Sequence, residues 1–353
     1  MIPWEQRWAA RAQVARGPAD PGLFLALAPM DGVTDAVFRD LMTGLFGGRS
    51  GISLCVSEFV RVTKLPAPAK VLLRHCPELA KGGLTPAGVP VFVQILGGDP
   101  LPMAQTARRA AELGAPGIDI NFGCPAKTVN NHDGGATLLK HPERLRRIVA
   151  AVRDAVPPAI PVSAKIRVGW ADDDGLEEIV RAAAAGGAAW ITIHARTRAQ
   201  GYKPPVRWRA LARTPGLCAA PIVANGDLYE VEDLTACAAI SGCEAFMIGR
   251  GSMATPDLFA RARGWRERGL VLSEFVDLWR DYYGRLLASG ATEGRALCRV
   301  KQWLRFAAER SPVIAALFAD IKRTQSWAEA DARLAGALAA ERELDAAPLA
   351  GAL

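Results

Sequence analysis

Residues 161–194 read PVSAKIRVGWADDDGLEEIVRAAAAGGAAWITIH, and this stretch decides the fold. Pro161–Arg167 is a short run rich in β-branched residues. Leu176–Ala185 places apolar residues three and four apart, the spacing of a helix that buries one face. Trp190–His194 is a second short apolar run. Strand, helix and strand in that order make a parallel crossover unit.

The unit recurs outward in both directions. Further strands are expected at Phe24–Ala28, Ile52–Ser57, Pro90–Leu96, Gly117–Asn121, Pro221–Asn225 and Ala245–Gly249. Helices are expected at Thr34–Leu45, Leu101–Leu113, Pro142–Val156 and Glu230–Ile240. Eight strands spread over about 230 residues predict an α/β fold whose sheet closes into a (β/α)8 TIM barrel. An open doubly wound sheet is the alternative, but no Gly-x-Gly-x-x-Gly follows the first strand.

Beyond residue 258 strand-like runs cease. Leu272–Ala288, Thr292–Glu309, Val313–Lys322 and Ser326–Leu344 read as helices, which predicts a C-terminal all-α helical bundle. The expected organisation is an N-terminal extension over 1–22, the barrel over 23–258, the helical domain over 259–345 and a tail over 346–353. Pro66–Ala87, punctuated by Pro66, Pro68, Pro77, Gly82, Gly83 and Pro86, reads as a long loop of the functional kind.

Composition narrows the class. Half of the 353 residues are hydrophobic and 22% are charged, a globular balance. No apolar run reaches the ~18 residues of a membrane helix, so no membrane partner is expected. Met1–Gly22 carries Arg7, Arg11 and Arg16 but not the apolar core of a secretory signal. The seven cysteines contain no Cys-x-x-Cys pair and only four histidines accompany them, which predicts no metal site and a reducing, cytoplasmic setting. Forty-three Lys and Arg against 36 Asp and Glu leave a net charge of +7, which permits a polyanionic partner.

Barrels of this type build their sites from the C-terminal ends of the strands. Those ends are Pro29-Met30-Asp31, Glu58, Gln94, Asn121, Lys165 with Arg167, His194, Asn225-Gly226-Asp227 and Gly249-Arg250. Gly226 and the Gly249-Arg250-Gly251 run follow the seventh and eighth strands, where barrels hold phosphates. Lys165 lies mid-strand and faces the barrel interior, where a lysine needs a partner. Either it holds an electron-rich cofactor ring or it forms a Schiff base. His194 is a candidate donor beside such a cofactor. Cys124, in Asn121-Phe122-Gly123-Cys124-Pro125, sits on a loop over the barrel mouth as a nucleophile or a proton donor. An ordinary thiol pKa of about 8.5 favours the proton donor.

Taken together these segments resemble the tRNA-dihydrouridine synthases. Ala28-Pro29-Met30-Asp31-Gly32-Val33-Thr34-Asp35, Asn121-Phe122-Gly123-Cys124-Pro125, Lys165-Ile166-Arg167, His194-Ala195-Arg196-Thr197, Ile222–Asp227 and Ile248–Gly251 keep the family's motifs in order. Ser57–Val62, Cys76–Leu79, Gly201-Tyr202, Ile240–Cys243 and Val300–Leu304 are similar to the bacterial C subgroup. The resemblance implies an FMN barrel, a helical domain that holds tRNA, NADPH as reductant and a D-loop uridine at position 16 as target. It implies that Pro29, Met30, Asp31, Gln94, Lys165 and His194 contact the flavin. Asn225, Gly226, Asp227, Gly249 and Arg250 would hold its ribityl phosphate end. Cys124 would be the proton donor, Asn121 would sit beside the base, and Arg61, Arg167 and Tyr202 would touch tRNA. Asp31 and Asp227 stand where the family often has Glu.

The chemistry agrees with that assignment. Uracil C5=C6 is conjugated to a carbonyl, so hydride from reduced FMN adds at C6 while C5 takes a proton from Cys124. On the expected helix around Gly294–Ala308, Arg295, Arg299, Lys301 and Arg305 fall within an arc of ~160° at ~100° per residue. That face is expected to meet tRNA phosphates, with Arg299 and Lys301 as contacts. A monomer suffices for this reading. The rival readings are a flavin barrel acting on a free pyrimidine, a Schiff-base aldolase using Lys165, and a non-catalytic RNA-binding protein.

Overall fold

The computed structural model describes residues 23–130 and 133–346. The expected extension over 1–22 and the last seven residues of the expected tail lie outside them. Among the described residues the chain forms two compact units. One runs to Gly251 and includes Leu258–Glu267; the other takes Ser252–Asp257 and the chain from Arg268 onward.

The first unit is the closed parallel barrel that the alternation predicts. Its strands are β1 (Phe24–Leu27), β2 (Leu54–Val56), β3 (Val60–Arg61), β4 (Val91–Leu96), β5 (Ile118–Asn121), β6 (Val162–Gly169), β7 (Ile191–Thr197), β8 (Ile222–Asn225) and β9 (Ala245–Ile248). Each pairs in parallel with its neighbours in the order β2-β1-β9-β8-β7-β6-β5-β4-β3, and β2 pairing with β4 closes the ring. The connecting helices are α1 (Ala36–Gly48), α2 (Ala69–His75), α3 (Pro100–Glu112), α4 (Pro142–Ala155), α5 (Leu176–Ala185) and α6 (Val231–Ser241). Asp35 and Asp99 cap α1 and α3 by accepting backbone N–H groups, and Pro100 and Pro142 open α3 and α4 where the missing N–H costs nothing.

Two expectations change. The second strand, read as Ile52–Ser57, is β2 over Leu54–Val56 only, and a two-residue strand outside the expected range, β3, follows it after a break. Ser57 explains the break: its hydroxyl accepts the Gln94 N–H at 3.1 Å, a bond that the backbone ladder of an unbroken strand would have made. The stretch Pro66–Ala87 is not one long loop, because α2 and a 3-10 segment (Pro77–Lys81) fill its centre. Arg39 holds it down from α1. The fully buried guanidinium donates to both Glu78 oxygens at 2.8 Å and to the carbonyls of Thr34 and His75. Removing one partner of such a buried pair costs about 3–5 kcal/mol.

The second unit is helical: α7 (Leu272–Ala288), α8 (Glu293–Ala308), α9 (Pro312–Ile321) and α10 (Trp327–Ala346). Thr292 and Ser311 cap α8 and α9. Trp279, Tyr282 and Trp303 are buried in it, and burying large apolar side chains of this kind contributes about 1.5–3 kcal/mol each. No helix among the described residues is long and apolar enough to cross a membrane.

Candidate active site

Alternate residues on a strand face the same side, so each barrel strand offers an inward row. Toward the strand starts that row is apolar: Ala26, Leu54, Phe92, Trp190, Val223 and Ala245 belong to one buried cluster. Toward the strand ends it turns polar. β4 contributes Gln94, β5 Asp119 and Asn121, β6 Ser163, Lys165 and Arg167, β7 Thr192, His194 and Arg196, and β8 Asn225. Register ties them together, with Gln94 beside Asp119, Asn121 beside Lys165, Arg167 beside His194 and His194 beside Asn225.

This upper tier is a hydrogen-bonded set with a surplus of cations. The Lys165 ammonium donates to Asn225 Oδ1 at 3.1 Å, and Asn225 Nδ2 donates to the Met247 carbonyl at 2.7 Å. Burial, and then the positive charge of Arg167, push the lysine down to about 8. His194 is driven well below the ordinary histidine range, first by burial and then by Arg167, Lys165, Arg196 and Arg250. It is therefore a neutral imidazole. The Thr192 hydroxyl on the same row is buried without a hydrogen-bond partner among the described residues.

The loops after β8 and β9 form the adjoining wall. Gly226 and Asp227 both have positive φ, +121° and +52°. A Cβ on Gly226 would stand 3.0 Å from the His194 ring, so the backbone approaches the imidazole as closely as glycine allows. Asp tolerates the left-handed backbone at 227 better than most residues. Its carboxylate bridges two guanidiniums, that of Arg196 and that of Arg250 at 2.8 Å. Arg250 also lies over the rings of Tyr202 and Tyr229, 5.7 and 5.8 Å from their centroids. A Cβ on Gly249 would reach the Met30 sulfur at 3.5 Å, which brings the β1 and β9 loops together. Pro29 and Met30 are half-buried there and Asp31 is exposed.

Cys124 sits on the loop after β5, half-buried. Burial, and then Asp31, push its thiol up, while a hydrogen bond from the Ala126 backbone and then Arg167 and Arg61 act against that rise. At neutral pH it is a protonated thiol. Arg167, 2% exposed, is the clamp beneath it. Its guanidinium donates to the carbonyl of Gly123 at 2.7 Å and to those of Thr197 and Gly201, and it lies under the Tyr202 ring. Tyr202 is 58% exposed, and Arg61, also exposed, donates to the Thr128 carbonyl. The structure thus gathers the barrel residues singled out in the sequence around one mouth. Arg167 joins loops from within it and does not stand on the surface.

Residues 26–338 match the family "Dihydrouridine synthase (Dus)". The chain belongs to the dihydrouridine synthase family. It is an oxidoreductase. A tRNA-dihydrouridine(16) synthase of Pseudomonas putida is 43% identical over 308 residues, covering 86% of this chain and 94% of that protein. One of Cupriavidus necator is 45% identical over 319 residues, covering 88% and 96%. Among solved structures, a complex of 2-naphthoyl-CoA reductase with 2-naphthoyl-CoA superposes with a TM-score of 0.52 at 14% identity, over 69% of this chain and 50% of that one. That likeness is one of fold.

Two groups in this synthase escape a reading of strand ends alone. Arg196 follows His194 by two residues and Asp119 precedes Asn121 by two, so strand alternation already puts them on the inward face. Glu58, at a strand end, accepts the Gly32 N–H at 2.6 Å and fixes the β1 loop. In the helical unit the basic arc divides. Arg295 and Arg305 are exposed, whereas Arg299 donates to Gln302 and to the Tyr282 hydroxyl, and Lys301 donates to the Thr324 carbonyl at 2.5 Å. Among the described residues no group of three or more His, Cys, Asp or Glu side chains is placed to hold a metal ion.

Proposed function

We propose that the protein is a tRNA-dihydrouridine synthase of the bacterial C kind, acting on the D-loop uridine at position 16 with bound FMN and NADPH as reductant. The name carried by the Pseudomonas and Cupriavidus relatives supports the position. In this reading the barrel over 23–258 binds the flavin, the helices over 259–345 hold tRNA, and a cytoplasmic monomer without a metal does the work.

The donor set fits an electron-rich ring with an anionic tail. Lys165 keeps ammonium protons beyond the one given to Asn225, the neutral His194 offers a ring N–H, and Arg250 offers charge beside the close backbone of Gly226 and Gly249. Pro29, Met30 and Asp31 would close the edge of the ring, and Gln94 and Asn225 would brace the groups that touch it. Asp227 would aim Arg250 and Arg196 at the tail. When bound, reduced flavin supplies the hydride that C6 of the base accepts.

The observation that carries the proposal is the place of the half-buried Cys124 thiol, on a loop that Arg167 clamps to the cationic mouth. Cys124 gives its proton to C5 as charge develops toward O4. Asn121 adjoins the base, Tyr202 offers it a ring face, and Arg61 reaches the tRNA backbone beside it. Drawing the base out of its stack costs a few kcal/mol, so contacts to tRNA shape and phosphate must supply the binding energy.

Cys124→Ala tests this directly. With tRNA from cells lacking the protein, turnover should fall by about 10²–10⁴-fold, the range of a lost general acid, with flavin and tRNA still bound. Full turnover by the variant would remove Cys124 from the chemistry. Dihydrouridine restored by the wild-type protein at a position other than 16 would overturn the assignment of the target.

A further inference from the structure

A chain of hydrogen bonds runs from the middle of the barrel to the loop that carries Cys124. Ser163 Oγ donates to Asp119 Oδ1 at 2.6 Å, and Gln94 Nε2 donates to Asp119 Oδ2 at 2.7 Å. Asn121 Nδ2 donates to Gln94 Oε1 at 2.9 Å, and the Gly123 N–H donates to Asn121 Oδ1 at 2.9 Å. Cys124 is the next residue. Asp119 and Gln94 are both fully buried.

The two amides in the middle have no polarity of their own, because a half-turn exchanges donor and acceptor at little change of shape. The groups at the two ends do. A carboxylate only accepts and a backbone N–H only donates. Because Asp119 accepts, Gln94 must turn its NH₂ inward and its oxygen toward Asn121. Asn121 must then donate to Gln94, which leaves its oxygen for Gly123 and its second N–H for a ligand. With both amides reversed, an NH₂ would face the Gly123 N–H, and the loop could not stay where it is.

We propose that Asp119 is a positioning residue for the reaction: its carboxylate sets the amide polarity of Gln94 and Asn121 and thereby the seat of the Cys124 thiol. This rests on the reading of Cys124 as the proton donor. A buried carboxylate is costly, and other inward sites of the same barrel, such as Phe92 and Val223, carry apolar groups. Nor is Asp119 bonded to Lys165, whose ammonium donates to Asn225 instead. Burial, opposed by the bonds from Ser163 and Gln94 and by the charge of Lys165, leaves the carboxyl raised to about 6, so at neutral pH it remains an acceptor.

The test uses the flavin-loaded, full-length protein and two readouts. One is the alkylation rate of Cys124 by iodoacetamide, resolved by peptide mass spectrometry. The other is kcat and KM on unmodified tRNA. Asp119→Asn keeps the polarity, since its oxygen takes the Gln94 N–H while its NH₂ donates to Ser163. It should stay within about fivefold of wild type in both readouts, the worth of one weakened hydrogen bond. Ser163→Ala leaves both amides fixed and should stay within about threefold.

Asp119→Leu frees Gln94 to turn. Cys124 should alkylate about tenfold faster and kcat should fall about 100-fold with little change in KM, the cost of a misplaced reacting group. Gln94→Met cuts the chain one step later and should do the same, so the test survives an Asp119→Leu protein that fails to fold. Wild-type alkylation and kcat in Gln94→Met would overturn the proposal. So would Asp119→Asn as damaged as Asp119→Leu, which assigns Asp119 to charge balance with Lys165. If Cys124→Ala keeps full turnover while alkylation still follows the acceptor at 119, the positioning stands and the proton-donor reading falls.

Discussion

Lys165, Arg167, Arg196 and Arg250 in the barrel and Arg295, Arg299, Lys301 and Arg305 on α8 are two sets of cations that look alike in the sequence. In the barrel the strand fixes their direction. Lys165 and Arg167 on β6, and Arg196 with His194 on β7, fall on one inward row, and alternation by two admits no other choice. On α8 the helix fixes only an arc. Which part of the arc stays open depends on the neighbours, and α8 packs against α7, α9 and α10 in its own unit. Two of its four cations are drawn into that packing. Lys301 meets a carbonyl just past the end of α9, where a cation is favoured by the helix dipole, and Arg299 lies against Tyr282. Spacing tells where a side chain starts out; only the partner tells what it is free to do.

The largest effect expected from this contrast is at Lys165. Its charge is held inside the barrel with one hydrogen bond to Asn225, so a bound electron-rich ring has much to gain from it. Lys165→Met should weaken flavin binding by about 10- to 100-fold, the worth of a lost charge-assisted hydrogen bond, read as the fluorescence of released flavin on dilution. Arg295→Met should leave flavin binding unchanged. Equal retention by the two variants would mean that the mouth cations serve the fold alone, and the contrast would be broken.

The same logic accounts for what was legible in the sequence. The eight strand positions were readable because apolar runs and strand alternation are local, and the strand ends led directly to Lys165, His194, Asn225 and Cys124. The break after Val56 was not, because it depends on a hydroxyl of Ser57 meeting an N–H on another strand. The ordering of Ala69–Lys81 was not, because it depends on Arg39 reaching Glu78 across 39 positions. Asp227 was readable as a wall residue, but its task of holding Arg196 and Arg250 was not, since the pairing joins loops from different strands. Local periodicity survives translation from sequence to structure; pairings at long range do not announce themselves.

A smaller effect separates the two halves of the α8 arc. If Arg295 and Arg305 meet phosphates, replacing both with alanine should weaken tRNA binding and reduce the slope of log K against log salt by about 1.4–1.8, at 0.7–0.9 per phosphate contact. Replacing Arg299 and Lys301 together should change that slope less. An equal change from both pairs would show that Arg299 and Lys301 leave Tyr282 and Thr324 to bind tRNA, and that the packing seen in the helical unit gives way to the ligand.

The smallest effect is on stability, and there the order inverts. Lys301→Met removes the donor from the Thr324 carbonyl while keeping the length of the side chain, so the segment after α9 loses a tie that solvent only partly replaces. A loss of about 1 kcal/mol is expected, which for a chain of this size lowers the melting temperature by about 2 °C. Arg295→Met, on the exposed part of the same helix, should stay within ±0.5 kcal/mol, as surface substitutions do. Thermal unfolding of the two variants, each measured with and without tRNA, makes the comparison sharp. Lys301→Met should lower the melting temperature of the free protein and leave most of the tRNA-dependent stabilisation intact. Arg295→Met should do the reverse, because its side chain has work only when a polyanion is present.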